Sequence, residues 1–167
     1  MKLLITVACV FLTASFGIAH GDSQKTPPPN LSGTWVLDPS KSNPRSEIKD
    51  YVLTIVHNEP EIQFSRKFKQ GKREITAQEV YYTDGRPQFA AHQGVNDPIP
   101  ETRWRGQKLT RRTVTRARGS IQLEFVNYEE WTISPDKQTL TRTMSTSGPG
   151  LSAGIFIKSK AVFKRLQ

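Results

Sequence analysis

Cysteine is almost missing from this chain: Cys9 is the only one. Without a cysteine pair there is no disulfide framework, no thiolate metal site and no dithiol redox centre. Histidine is nearly as scarce. His20, His57 and His92 stand far apart, and none begins an H-x-x-x-H or H-E-x-x-H pattern. No metal site is expected from such spacing, and no cofactor. Acid is in short supply as well, with 15 Asp and Glu against 24 Lys and Arg, a formal charge of +9. No G-x-S-x-G elbow or phosphate-cradling P-loop occurs, and Gly148-Pro149-Gly150 reads as a loop. The apolar run from Leu3 to about Ala14 is shorter than the ~20 residues a membrane span needs. At 167 residues and 35% hydrophobic content, one domain with one modest core is the natural size.

The amino terminus carries an address. Lys2 precedes the apolar run, and small residues follow at Gly17, Ala19 and Gly21. That order of charge, core and small-residue cleavage region is that of a secretory signal peptide, here residues 1–21. An uncleaved anchor is the alternative. Export is therefore expected, to the periplasm or the extracellular space. Cys9 falls inside the segment, where Thr6 stands in place of the aliphatic residue of a lipobox. The mature chain then has no cysteine and no transmembrane segment. Export without disulfides points to a bacterial envelope protein more than to a small animal secreted domain. Residues 22–32, with Pro27-Pro28-Pro29, read as a Pro-rich linker ahead of a domain at 33–167.

Within that domain, apolar and polar residues alternate in short runs broken by Gly, Pro, Asn and Asp. The pattern predicts an all-β fold. Strands are expected at 33–38, 51–56, 61–70, 73–83, 101–105, 108–117, 121–134, 139–147 and 155–165, with a tenth if Gln88–Ala91 pairs. Gly106-Gln107 is a good two-residue hairpin loop. The longest irregular stretch is 84–100. Neighbouring hairpins of this number hide their edges best as a single antiparallel meander β-barrel of about 8–10 strands. A two-sheet sandwich is the alternative.

Gly33-Thr34-Trp35 at the first strand resembles the Gly-x-Trp signature of lipocalins and other calycin barrels. The stretches SGTWVLDPSKS, YYTDGR and EEWTISPDKQTLTRT, with Trp104, Gly106 and Leu109 of a central hairpin, resemble uncharacterised secreted bacterial lipocalin-like proteins. The resemblance implies a lipocalin-like barrel. It also implies that Trp35 closes one end beneath a basic side chain of the last strand, for which Arg165 is placed.

Alternation assigns the faces. Ile62, Phe64 and Phe68 point inward and take Arg66 with them. Phe125, Trp131 and Ile133 take Asn127 and Glu129, and Leu140 and Met144 take Arg142. The turn at Pro135–Gln138 pairs Trp131 with Arg142. The Gly106-Gln107 turn pairs Trp104 with Leu109 and carries Arg111 onto the same face. Pairing Ala117 with Ile121 then sets Arg111 opposite Asn127 and Leu109 opposite Glu129. Arg66, Trp104, Arg111, Asn127, Glu129, Trp131 and Arg142 are therefore the candidate ligand-binding residues. Three guanidinium groups against one carboxylate leave a cationic excess inside, which an acidic ligand head could complete. The fatty-acid-binding barrels, relatives of the lipocalins, resemble this in using interior arginines. The alternative is internal pairing alone, with Arg142 on Trp131, Arg111 on Glu129, and Glu79 answering Arg66.

The opposite face of the central hairpin collects Arg103, Arg105, Lys108, Arg112, Arg116 and Arg118. Such a ribbon focuses a positive field. An exported protein meets anionic envelope surfaces more than nucleic acid, for which no recognition motif is present. Two functions follow as expectations. One is a barrel that binds a hydrophobic or amphipathic small molecule with an acidic head. The other is an envelope protein with a filled barrel whose basic face docks an anionic surface. No catalytic residue is assigned, although Glu79 and Glu129 are a conceivable acid–base pair.

Overall fold

The computed structural model describes residues 26–43, 48–86, 88, 100–116, 124–148 and 157–166. The signal-like segment, Arg118, Ile121, Leu123, His92 and residues 89–91 lie outside them. So does the side chain of Arg116.

All regular structure among the described residues is β. The strands are β1 (Gly33–Leu37), β2 (Ile48–Asn58), β3 (Glu61–Gln70), β4 (Arg73–Tyr82), β5 (Glu101–Arg105), β6 (Lys108–Arg116), β7 (Glu124–Ile133), β8 (Thr139–Ser147) and β9 (Ile157–Arg165). They form one antiparallel sheet in the order β4-β3-β2-β1-β9-β8-β7-β6-β5. The expected meander is present, curled into a half-barrel. Its first and last strands pair, Trp35 opposite Arg165, and its seam falls between β4 and β5. These two strands are joined by the longest irregular stretch, too long for a tight hairpin turn. Gln88, the first residue of the conditional tenth strand, is buried outside any strand and donates to the Tyr82 carbonyl at 3.0 Å.

One end of the half-barrel is plugged with apolar side chains. Trp35, Leu31, Leu53, Ile62, Phe64, Leu109, Trp131, Leu140 and Phe163 pack there without solvent contact. Leu31 belongs to the segment read as a linker, yet it is wholly buried, and its carbonyl accepts from Trp35 Nε1 at 3.2 Å. The Arg165 guanidinium lies 4.2 Å over the Trp35 ring. It also donates from Nη1 to the Ser32 carbonyl and from Nε to the Lys137 carbonyl, at 3.1 and 2.8 Å. Gly33 takes a φ of +145°, and any Cβ there would collide with Arg165 Nη1. The glycine of the Gly-x-Trp triplet is thus the clearance for the guanidinium that covers the tryptophan.

After β1 the chain keeps to the flank of β9. Asp38 N donates to the Val162 carbonyl, and Asn43 bridges Lys160. The Asp38 carboxyl accepts from Ser40 and faces Lys164 Nζ at 2.9 Å, and these two contacts hold its pKa at about 2. Lys164 is thereby committed away from Trp35.

The expected registers hold at two turns: Trp104 pairs with Leu109 and Trp131 with Arg142. The β6–β7 register differs. Arg111 stands opposite Glu129 and Leu109 opposite Trp131, whereas Asn127 faces Thr113. The slip is two residues, so every side chain keeps its face. The observed register sets cation against anion and leucine against indole, and cross-strand pairs of that kind stabilise a ladder.

Replacing Trp35 by Ala is expected to cost ~3–5 kcal/mol in denaturant unfolding, as for other large-to-small core changes. Gly33→Ala is expected to destabilise through displacement of Arg165. A Trp35→Ala protein that unfolds at the parent's denaturant midpoint would refute the plug.

Candidate functional site

Beyond the apolar plug the interior turns polar. Arg66 on β3, Glu79 and Tyr81 on β4, Arg111 on β6, Glu129 on β7 and Arg142 on β8 converge across the seam. Alternation and register put them on the inner face, with Glu79 opposite Phe64 and Arg66 opposite Leu53. Arg66 Nη2 lies 3.1 Å from Glu79 Oε2, and Arg111 Nη1 lies 3.4 Å from the same oxygen. Arg142 Nε donates to Glu129 Oε1 at 2.7 Å. The Tyr81 hydroxyl sits between the carboxylates, 2.9 Å from Glu79 Oε2 and 3.3 Å from Glu129 Oε2. The Arg111 guanidinium lies 4.2 Å over the Tyr81 ring, and that of Arg142 lies 5.4 Å over Trp131.

The electrostatics follow from this packing. Burial pushes the Glu79 carboxyl up, but Arg66, the Tyr81 hydrogen bond and Arg111 outweigh it and hold it below the usual glutamate range. Burial and the neighbouring Glu129 charge raise the Tyr81 phenol. Burial works against the Arg66 charge, and the surrounding tyrosines and glutamates more than restore it. A carboxyl paired with two arginines is a poor proton donor, so Glu79 does not suit the acid of an acid–base pair.

The sequence counted three interior arginines against one carboxylate. The structure brings in a second, Glu79, so the surplus is one positive charge rather than two. Even so, Arg66 Nε, Arg111 Nε and Trp131 Nε1 are buried and find no acceptor among the described residues. Buried donors are normally satisfied.

Of the seven candidate ligand-binding residues, Arg66, Arg111, Glu129, Trp131 and Arg142 come together. Asn127 shares their face but lies one pleat further from the plug, where Thr146 donates to its Oδ1 at 2.7 Å. Trp104 is not beside the ring. Its indole stacks 5.8 Å from His57 at the plugged end and donates to Glu59 Oε1 at 2.6 Å. The reason is register: Trp104 sits one pleat nearer the plug than Arg111, and its N–H takes the acceptor available there. Tyr81 and Glu79 join the site from β4. The signal for them was the Gly71-Lys72 turn, which fixes the β3–β4 register.

The His57–Glu59 cluster was also hidden in the sequence, where it resembled a turn. His57 is buried at the end of β2. Leu31 N donates to its Nδ1 at 3.1 Å, which leaves Nε2 to donate to Glu59 at 2.7 Å. Burial raises the Glu59 carboxyl, but bonds from Thr83, His57 and Trp104 more than offset it. This cluster laces Leu31 of the segment before β1, the β2–β3 turn and β5 across the seam.

Of the basic ribbon, Arg103, Arg105, Lys108 and Arg112 lie on the outer face, and Lys108 pairs with Glu130 at 3.0 Å. Among the described residues no group of three or more His, Cys, Asp or Glu is placed to hold a metal ion. No protein-family model and no curated protein matches the chain.

Because the folded pKa of Glu79 is depressed, its ion pairs add stability above the ordinary glutamate pKa of ~4.3. That stability drains away as pH falls through and below this value. Glu79→Gln is expected to lower stability at pH 7 and to flatten the acid limb below pH ~4.3. Urea unfolding across a pH series checks this. An acid limb as steep in the variant as in the parent would count against the ring.

Proposed function

We propose that the protein is an exported, lipocalin-like barrel of the calycin type that holds an amphipathic small molecule by an acidic head. The observation that carries this reading is the set of three buried N–H donors, on Arg66, Arg111 and Trp131, around a ring with a positive surplus. All three ask for an acceptor, and a carboxylate supplies two oxygens in the planar geometry that a guanidinium matches. Glu79, with 39% of its side chain exposed, marks the side from which a head group would enter. The signal-like segment at residues 1–21 supports a periplasmic or extracellular setting for such a carrier.

A filled barrel that docks through its basic face is the second reading. The short Arg142–Glu129 bond favours it, since that pair is complete without a ligand. The two readings divide the arginines differently. Arg142 is committed to Glu129, and Arg142→Met strands a buried carboxylate at an expected cost of ~3–5 kcal/mol in stability. Arg111 reaches Glu79 only at 3.4 Å and is the arginine with most to offer a ligand.

Arg111→Met is therefore expected to leave the unfolding midpoint of delipidated protein nearly unchanged. It should weaken palmitate binding by ~2–5 kcal/mol, as for loss of one partner of a desolvated charge pair. Hexadecanol, which lacks the acid, should bind parent and variant alike. Titration calorimetry with both probes decides the matter. Absence of palmitate binding at micromolar concentration, or loss of stability in Arg111→Met without ligand, would reject the carrier.

A further inference from the structure

The interior arginines are largely answered by carboxylates; the outer face of the same strands is not. Along β5–β9 the register stacks outward-pointing residues into cross-strand rows. One row runs Arg103, Thr110, Glu130, Thr143, Lys160. The next runs Glu101, Arg112, Tyr128, Ser145, Lys158. With Arg105 and Asn43, these residues line a groove of about 570 Å³. Glu130 is engaged by Lys108. Arg103, Arg105, Arg112, Lys158 and Lys160 form no ion pair with any described residue. Five unpaired cations of the sheet are thus gathered in one trough.

The arrangement inside the trough is specific. Cations stand on its two flanks, Arg103, Arg105 and Arg112 on β5 and β6, and Lys158 and Lys160 on β9. The floor between them is hydroxylated, with Thr143 and Ser145 on β8, and it carries one large exposed ring, Tyr128, 46% accessible. From Arg103 to Lys160 is four strand spacings, ~19 Å.

We propose that this groove binds an acidic oligosaccharide laid across the strands. The cations, the hydroxyls and the ring each have a counterpart in such a ligand. Hydroxyls on the floor exchange hydrogen bonds with sugar hydroxyls, being donors and acceptors at once. The exposed phenol ring offers an apolar face to the apolar face of a pyranose, with its O–H still free to bond. The flanking guanidinium and ammonium groups take carboxylate or sulfate substituents. A pyranose advances a glycan by about one strand spacing, ~4.8 Å, so successive sugars meet successive strands. A lipid surface fits less well. Its charges lie in a plane that does not enter a trough, and Tyr128 and the hydroxyls would then face nothing.

The test uses the protein without its signal-like segment and linear hexagalacturonate as probe, followed by titration at low and at physiological salt. The parent is expected to bind hexagalacturonate, more weakly as salt screens the charges. The fully methyl-esterified hexamer should bind far less. Lys158→Gln combined with Lys160→Gln should weaken binding by ~10-fold or more, since charge-assisted hydrogen bonds are the strong ones. Tyr128→Ala, which leaves the charge unchanged, should weaken it by ~5-fold through loss of ring contact. Lys72→Gln combined with Arg73→Gln, the same charge change in the β3–β4 turn, should alter it by less than ~2-fold. Circular dichroism and thermal melting establish that each variant is folded. An equal loss in the turn variant would reduce the effect to net charge and overturn the proposal. So would indifference to Tyr128→Ala, equal affinity for the esterified hexamer, or stronger binding to phosphatidylglycerol vesicles or to single-stranded oligothymidylate. Absence of binding at low salt would overturn it outright.

Discussion

The structure depends on the pairing of charges inside a sheet that, among the described residues, backbone hydrogen bonds do not close. β4 and β5 are the two ends of the ladder. What joins their neighbourhoods is a side-chain network, with Tyr81 and Glu79 of β4 reaching Glu129 of β7 and Arg111 of β6. Guanidinium groups on the inner face cannot be left without anions, because an unpaired buried charge costs several kcal/mol. That demand pulls the carboxylates of β4 and β7 toward one another and curls the sheet. Tyr81 makes the approach tolerable, since its hydroxyl separates two like charges.

The interior is consequently polarised. The part near Trp35 is apolar and closed, and the charged ring beyond Phe64 answers mainly to itself. At the closed end, Arg165 covers Trp35, and His57 and Glu59 fasten the segment before β1 to the opposite side of the seam. Both devices use a polar group to satisfy backbone atoms that the ladder leaves over, which is the general requirement for burying an irregular segment. A plugged end and a charged opposite side make the interior asymmetric.

The two faces of the sheet treat cations in opposite ways. Inside, low exposure forces each guanidinium to find an anion or an aromatic face. Outside, water screens the charges, so Arg103, Arg112, Lys158 and Lys160 stand as like-charged neighbours of a shared trough with little penalty to folding. Charges that fold stability does not require are the ones free to serve recognition, and here they are gathered over a hydroxylated floor.

Much of this was legible in the chain itself. Alternation with period two assigned the inner faces of β3, β6, β7 and β8, because a strand leaves a side chain only two directions. Gly106-Gln107 and Pro135–Gln138 set two registers, because tight turns allow few. Gly33-Thr34-Trp35 marked the plug. Tertiary structure alone decided the rest. The β6–β7 register stands two residues from the expected one, a slip that costs nothing in facing and sets Arg111 across from Glu129. Trp104 left the charged ring because its N–H found Glu59, 45 residues away in sequence. Tyr81 met Glu129, and Lys158 and Lys160 joined the basic hairpin, only through pairings remote along the chain. Local pattern determines which way a side chain points; which partner awaits it depends on how the sheet curls.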